Sequence, residues 1–176
     1  MFEKEAERIG KRLFREGLVG GNFGNMSVRE GDGFFITRNG SFLDEPGDLV
    51  FVPLEGPVPA SASSEYRVHH GVYAETEHRA IVHAHPVFAV ACSFAAKEII
   101  PRDSEGQMFC PVIPVSEGKP GTTGLAASVA SALKTSKLTI VRGHGTFAAG
   151  KSLEEAYLLT SVAEHACRVL GLLSLY

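Results

Sequence analysis

The sequence has 176 residues, 44% of them hydrophobic and 21% charged, enough for one domain over 1–176 with its own core. A formal net charge of -3 and a sequence pI near 6.2 give no field that would gather nucleic acid, so none is expected as a partner. The N-terminus Met1-Phe2-Glu3-Lys4-Glu5 lacks the apolar run of a signal peptide, and no later stretch nears the ~18 apolar residues of a membrane span; a cytoplasmic protein without membrane contact is expected.

Phe2, Ala6, Ile9, Leu13 and Phe14 recur at spacings of three and four with charges between them, which predicts an amphipathic helix over residues 2–16 ending at Gly17. From Asn25 to Phe51 short apolar runs alternate with Gly, Asn, Asp and Pro, the pattern of antiparallel strands joined by tight turns. Ser63-Ser64-Glu65 opens a second helix. The run from Ala80 to His85 reads as a strand, with a third helix beyond Pro86. Residues 97–121 contain Pro101, Pro111, Pro114 and Pro120 and read as loop and short strand. A helix from about Gly124 to Leu133, a strand from Leu138 to Val141 and a turn at Gly143-His144-Gly145 lead into a long last helix. Ser152-Leu153-Glu154-Glu155 is a capping box for that helix, and Leu153, Ala156, Leu159, Ala163, Ala166 and Leu170 mark its buried face. Helices between hairpin-like strands predict an α/β domain of three layers, α/β/α, around a mixed, mostly antiparallel sheet.

Cys92, Cys110 and Cys167 are odd in number and far apart, so they read as small core residues rather than a disulfide framework or a cysteine metal site. Histidine carries the stronger signal. His83 and His85 are two apart on a strand, so both rings leave one face while Val82 and Ala84 leave the other. Zinc takes neutral imidazoles and needs further donors, for which His144, held between two glycines after a strand, is the best third. Singly, His-x-His reads as a surface strand and Gly-His-Gly as a turn; together at strand ends, beside Ser-Ser-Glu, they favour a metal site. His69, His70, His78 and His165 read as solvated or capping residues.

Glu65 sits in the first turn of its helix, where the helix dipole favours a carboxylate whatever its role. Ser63 and Ser64 add hydroxyls, and the turn's N–H groups form an anion site suited to phosphate. Gly24-Asn25 and Asn39-Gly40 are turn residues whose N–H groups can complete such a nest. The run from Gly143 to Ala148 formally fits a dinucleotide fingerprint, but the last helix begins near Ser152 and no second strand follows it to carry a ribose-binding acid.

These residues resemble the class II aldolase/adducin family, in its fuculose-1-phosphate aldolase-like branch. The matching stretches are Gly24 to Arg29, Phe35 to Gly40, Ser63 to His69, Ile81 to His85, Gly143 through Gly150, and Leu153 to Ala156. The resemblance implies an α/β/α fold and a cyclic homotetramer with active sites at subunit interfaces. It also implies one Zn2+ per subunit on His83, His85 and His144. Glu65 would be the acid/base and an optional fourth ligand, while Asn25, Asn39, Gly40, Ser63 and Ser64 would bind phosphate. The branch uses a tyrosine from a neighbouring subunit as second proton carrier, but Pro101 to Gly106 contains none; Asp103, Glu105 or another subunit's residue would have to serve. The branch also extends into a C-terminal tail, whereas this sequence runs to Tyr176, so a more open pocket or a different closing residue is expected.

The implied reaction is reversible cleavage of a ketose 1-phosphate to dihydroxyacetone phosphate and an aldehyde, with fuculose 1-phosphate and lactaldehyde as the leading case. Alternatives on the same fold are a methylthioribulose-1-phosphate type dehydratase and a pentulose-phosphate 4-epimerase. Glu rather than Asp after Ser63-Ser64 leans away from the latter. A non-catalytic adducin-like interaction domain would lack the three histidines that this sequence has.

Overall fold

The structure is a computed structural model describing residues 2–173 and 175; the expectation for the chain end at Tyr176 lies outside the described residues. The first helix, α1 (Phe2–Arg15), buries Ala6, Ile9 and Leu13 as its spacing predicts. It stops at Gly17 in a Schellman turn, with Gly17 N–H donating to Phe14 and Leu18 N–H to Leu13. That stop also serves the site, because the Leu18 carbonyl then accepts the backbone N–H of His85 at 2.9 Å.

Three antiparallel strands follow, β1 (Asn25–Glu30), β2 (Gly33–Ile36) and β3 (Val50–Pro53), then α2 (Tyr66–Glu75) and β4 (Ala80–Ala84). After Pro86 comes the short α3 (Val87–Cys92), whose first N–H groups, on Phe88 and Ala89, donate to the Glu164 carboxylate. Next are β5 (Glu98–Ile99), α4 (Ser104–Phe109), β6 (Ile113–Ser116), α5 (Thr123–Leu133), β7 (Leu138–Val141), β8 (Gly145–Gly150) and α6 (Leu153–Leu173). The sheet order is β3-β2-β1-β4-β8-β7-β6-β5, and among these pairings only β6 with β7 is parallel, joined by the crossover through α5. This is the expected mixed, mostly antiparallel sheet.

Alternation splits each central strand between two cores. Met26, Val82, Ala84 and Ala148 meet α1, α3 and α6 on one face, whereas Ile81, Phe147 and Ala149 meet α2 and α5 on the other. The three layers follow. In α6, Leu153, Ala156, Leu159, Ala163 and Ala166 are buried, and Leu170 packs partly buried against the same core. Half of its capping box forms, with Glu155 N–H donating to Ser152 Oγ; the Glu155 carboxylate instead accepts from Lys151 N–H.

Four expectations about secondary structure need correction. Residues 145–150 are a central strand rather than the end of a turn, buried throughout. Their Gly, Thr, Phe and Ala composition lacks a run of β-branched residues, and close approach selects the glycine: a Cβ on Gly145 would lie 2.2 Å from the Ala84 carbonyl oxygen. The proline-rich region holds the helix α4, nucleated when Asp103 Oδ2 accepts the Gly106 N–H at 2.8 Å. Asn25 is the first residue of β1, not a turn residue. Glu65 is the N-cap of α2 rather than a member of its first turn, and its side chain makes no cap bond.

The cysteines are free, Cys110 and Cys167 buried and Cys92 half-buried. Burial raises all three thiols above their ordinary pKa. The formal dinucleotide run crosses a hairpin turn and enters β8, with no helix behind its glycines. No helix among the described residues is long and apolar enough to cross a membrane.

Candidate metal centre and anion pocket

The pairing of β1, β4 and β8 sets the floor of the site. Asn25 lies opposite His83, which on its other side lies opposite Phe147, so the three share one face. The Phe147 ring stacks on His83 with centroids 4.0 Å apart. Gly24 permits the approach of the preceding loop: its φ is +79°, and a Cβ there would lie 2.7 Å from the His83 carbonyl oxygen.

The three nominated histidines converge. Their ligand atoms lie within 4.8 Å of one another, with His83 buried and the others half-buried. His83 Nδ1 lies 2.9 Å from the Thr146 carbonyl oxygen, which can only accept, so Nδ1 carries the proton and Nε2 presents its lone pair to the cluster. His83 Nε2 and His85 Nε2 are 3.0 Å apart, close to the roughly 3.3 Å between two nitrogens on a tetrahedral zinc ion. His144 Nδ1 is buried without a hydrogen-bond partner. Burial holds all three pKa values below the ordinary range, His85 to about 4, with the neighbouring rings adding to the effect on His83 and His85. Neutral imidazole is the ligating form, so this donor set fits a metal ion.

Glu65 is 6% exposed, and its Oε2 is likewise buried and unpartnered. Burial raises its pKa, opposed by the backbone N–H of Gly121 facing the carboxylate. The segments beside it are tied together: Ser63 N–H donates to Thr37 O, Asn39 N–H to Ser61 O, and Arg38 bridges Ala62. This pairing brings Asn39-Gly40 beside Ser63-Ser64. Ser63 Oγ accepts the Glu65 N–H at 3.3 Å, leaving Ser64 exposed.

One pocket of about 190 Å³ is lined by Asn25, Asn39, Gly40, Ser63, Ser64, Glu65, His83, His85 and His144, every residue nominated from sequence for the metal, the phosphate and the acid/base. Asn22, Phe23, Gly24 and Arg38 also line it. Sequence reading passed over Arg38, though its place beside Asn39-Gly40 was a signal, and Phe23, whose ring stacks on His85. A larger groove of about 500 Å³, lined by Glu75, His78, Lys134 and Glu155 among others, contains none of the nominated residues. Asp103 and Glu105 do not line the pocket; they sit at the N-terminus of α4, grouped with His165.

The other histidines divide. His165 is exposed, and the half-buried His70 and His78 donate from Nε2 to the carbonyls of Leu54 and Leu133. His69 departs from the expectation of a solvated or capping residue: it is completely buried beneath the pocket and bonded to Asn25 and Ser27. The signal was the stripe Glu65, Val68, His69, Val72, Tyr73, spaced for one helix face.

The family described as Class II Aldolase and Adducin N-terminal domain matches residues 4–170. The crystal structure of L-fuculose-1-phosphate aldolase from Thermus thermophilus is similar at a TM-score of 0.95 and 41% identity, covering 98% of this chain and 94% of that one. L-fuculose phosphate aldolase of Methanocaldococcus jannaschii is 31% identical over 96% of this chain and 95% of its own length. The 5-methylthioribulose-1-phosphate/5-deoxyribulose-1-phosphate aldolase of Rhodospirillum rubrum is 31% identical over 84% of this chain and 70% of its own. With the family match spanning nearly all of the sequence and these similarities running to lyases, the chain belongs to the class II aldolase/adducin family and is one of its aldolases.

Proposed function

We propose that the chain is a zinc-dependent aldolase that reversibly cleaves a ketose 1-phosphate into dihydroxyacetone phosphate and a short aldehyde. The observation that carries this reading is the convergence of three neutral histidines and a buried carboxylate with one oxygen unpartnered, beside an Asn-Gly turn and two serines. His83, His85 and His144 would hold one Zn2+ per chain, with Glu65 an optional fourth ligand at rest. When bound, the ion supplies Lewis-acid polarisation of the substrate C2 carbonyl.

The similar proteins support the substrate class. Fuculose 1-phosphate, 5-methylthioribulose 1-phosphate and 5-deoxyribulose 1-phosphate share a phosphorylated three-carbon end and differ beyond it. Breaking C3–C4 releases dihydroxyacetone phosphate from the shared end, and lactaldehyde in the leading case, fuculose 1-phosphate. Asn25, Asn39, Gly40, Ser63 and Ser64 would hold the phosphate in ground and transition states alike. That anchors C3 near Glu65, which directly follows the serines. Glu65 removes the C3 proton in condensation and returns it in cleavage. The C4 hydroxyl proton requires a second carrier, and Asp103 and Glu105 are absent from the pocket lining of one chain. We assign this role to a neighbouring subunit of a cytoplasmic homotetramer.

The test is the zinc-loaded protein with dihydroxyacetone phosphate and a panel of short aldehydes in heavy water. Aldol product is expected, with deuterium entering C3 of dihydroxyacetone phosphate. Glu65→Gln should keep its metal through the histidines and lose both reactions by about 10²–10⁴-fold. Neither product nor exchange at full zinc occupancy would sink the aldolase reading and favour the dehydratase.

A further inference from the structure

Behind Asn25 runs a line of buried polar groups to which the proposed reaction gives no task. Asn25 and Ser27 are two apart on β1 and face the same side; His69 and Tyr73 are one turn apart on α2 and face them. His69 Nε2 is 2.6 Å from Asn25 Oδ1, His69 Nδ1 is 2.6 Å from Ser27 Oγ, and Ser27 Oγ is 2.7 Å from the Tyr73 hydroxyl. The four residues are at most 4% exposed. Phe34 stacks on one side of the imidazole and Phe147 meets it edge-on, which restrains the plane of the ring.

The direction of every bond follows from the first. Asn25 Oδ1 can only accept, so His69 Nε2 carries the proton. Burial holds the imidazole pKa near 3, so the ring is neutral and its Nδ1 is bare. Bare Nδ1 accepts the Ser27 hydroxyl proton. Ser27 Oγ therefore accepts in turn from Tyr73, whose phenol burial keeps protonated. The order Tyr73 to Ser27 to His69 to Asn25 has one consistent arrangement of protons.

Its last member lines the pocket. With Oδ1 held by His69, the end of the amide left for the pocket is the Nδ2 amino group, a donor of two hydrogen bonds. Turning the amide over would either set N–H against N–H or, with the ring proton moved to Nδ1, reverse the chain and leave the Tyr73 hydroxyl proton with no acceptor among the described residues, at a cost of about 1–3 kcal/mol. A phosphate oxygen can only accept, so the orientation of this amide decides whether Asn25 attracts or repels it.

We propose that His69 is a positioning residue, oriented by Ser27 and Tyr73, that holds the Asn25 amide with its amino group toward the substrate phosphate. The inference rests on Asn25 as a phosphate ligand in the function proposed above. It assigns phosphate affinity to residues that never touch the phosphate.

The experiment uses the full-length, zinc-loaded protein with inorganic phosphate and dihydroxyacetone phosphate as probes. Long-range proton–nitrogen correlations should find His69 as the Nε2–H tautomer from pH 5 to 8. Asn25→Ala should raise Kd for both probes about tenfold, and His69→Leu should match it. Ser27→Ala, the milder change if His69→Leu does not fold, should raise Kd about threefold and add nothing in the Asn25→Ala background. His69→Gln, which offers an amide N–H near the former Nε2, should recover most of the affinity. In turnover, KM should rise more than kcat falls. A His69 ring protonated at Nδ1 would overturn the proposal, as would normal phosphate binding by Ser27→Ala and His69→Leu while Asn25→Ala binds weakly. Unchanged binding by Asn25→Ala would instead overturn the underlying phosphate assignment, a separate failure.

Discussion

The two faces of the central sheet differ although the same strands build both. Toward α1, α3 and α6, β1 and β4 present Met26, Val28, Val82 and Ala84; one residue out of phase, toward α2, they present Asn25, Ser27 and His83 beside Ile81. The first set gains its stability from apolar burial. The second stays inside because its polar atoms find partners in His69, Tyr73 and Thr146. Period-two alternation thus separates an apolar surface from one that carries polar, chemical groups within its own core by a single residue, and the antiparallel register keeps them apart across three strands.

This division can be broken from either side. The largest effect is expected at the chemical face. His83→Ala and His144→Ala should each lose most of the metal, from about one ion per chain to a small fraction, while the fold persists by circular dichroism. Elemental analysis checks this, and full stoichiometry in both variants would refute the proposed ligand set. On the other side, Ile9→Ala removes a completely buried side chain of α1. It should cost about 2–5 kcal/mol in urea unfolding while metal content and kcat per folded molecule stay unchanged. Lost metal there would mean that the two faces are coupled.

The smallest effect sharpens the comparison through pH. His69 faces Tyr73, over whose ring Arg29 lies, and His83, and its pKa is lowered from 6.5 to about 3 by burial. Below pH 6.5 the unfolded chain takes up a proton that the folded chain refuses. The stability this residue supports is therefore full above pH 6.5 and lost as pH falls toward 3, by at most about 1.4 kcal/mol per pH unit. His69→Gln lacks that proton. Its stability deficit relative to the parent, measured by urea unfolding at pH 7, 6 and 5, should shrink as pH falls. A constant deficit would mean that His69 is not the neutral, buried base described above.

Legibility in the sequence follows the range of the forces involved. Helix α1 could be read because its apolar spacing and its terminal Gly17 are local signals. The same-face geometry of His83 and His85 is a property of any strand, and Asn39-Gly40 marks a turn wherever it occurs. Strand β8 could not be read: Gly145-Thr146-Phe147-Ala148-Ala149-Gly150 has little strand preference, and β4 and β7 hold it from either side. The helix α4 was hidden among prolines because one side-chain bond from Asp103 starts it.

The sequence by itself determined the helices with complete amphipathic patterns, the alternating strands, and the residue types a metal and anion site requires. Tertiary structure decided which of those residues meet. Pairing of 37–39 with 61–63 carried Asn39-Gly40 to Ser63-Ser64, and the β7–β8 hairpin carried His144 to His83 and His85. It also sent His69 inward and His70 toward Leu54, though the two are adjacent and chemically identical. Both imidazoles have the same intrinsic preference. Only the helix's rotation against β1, set by burying Val68, Val72 and Tyr73, brings one ring to Asn25 and Ser27, where its polar atoms are satisfied without water.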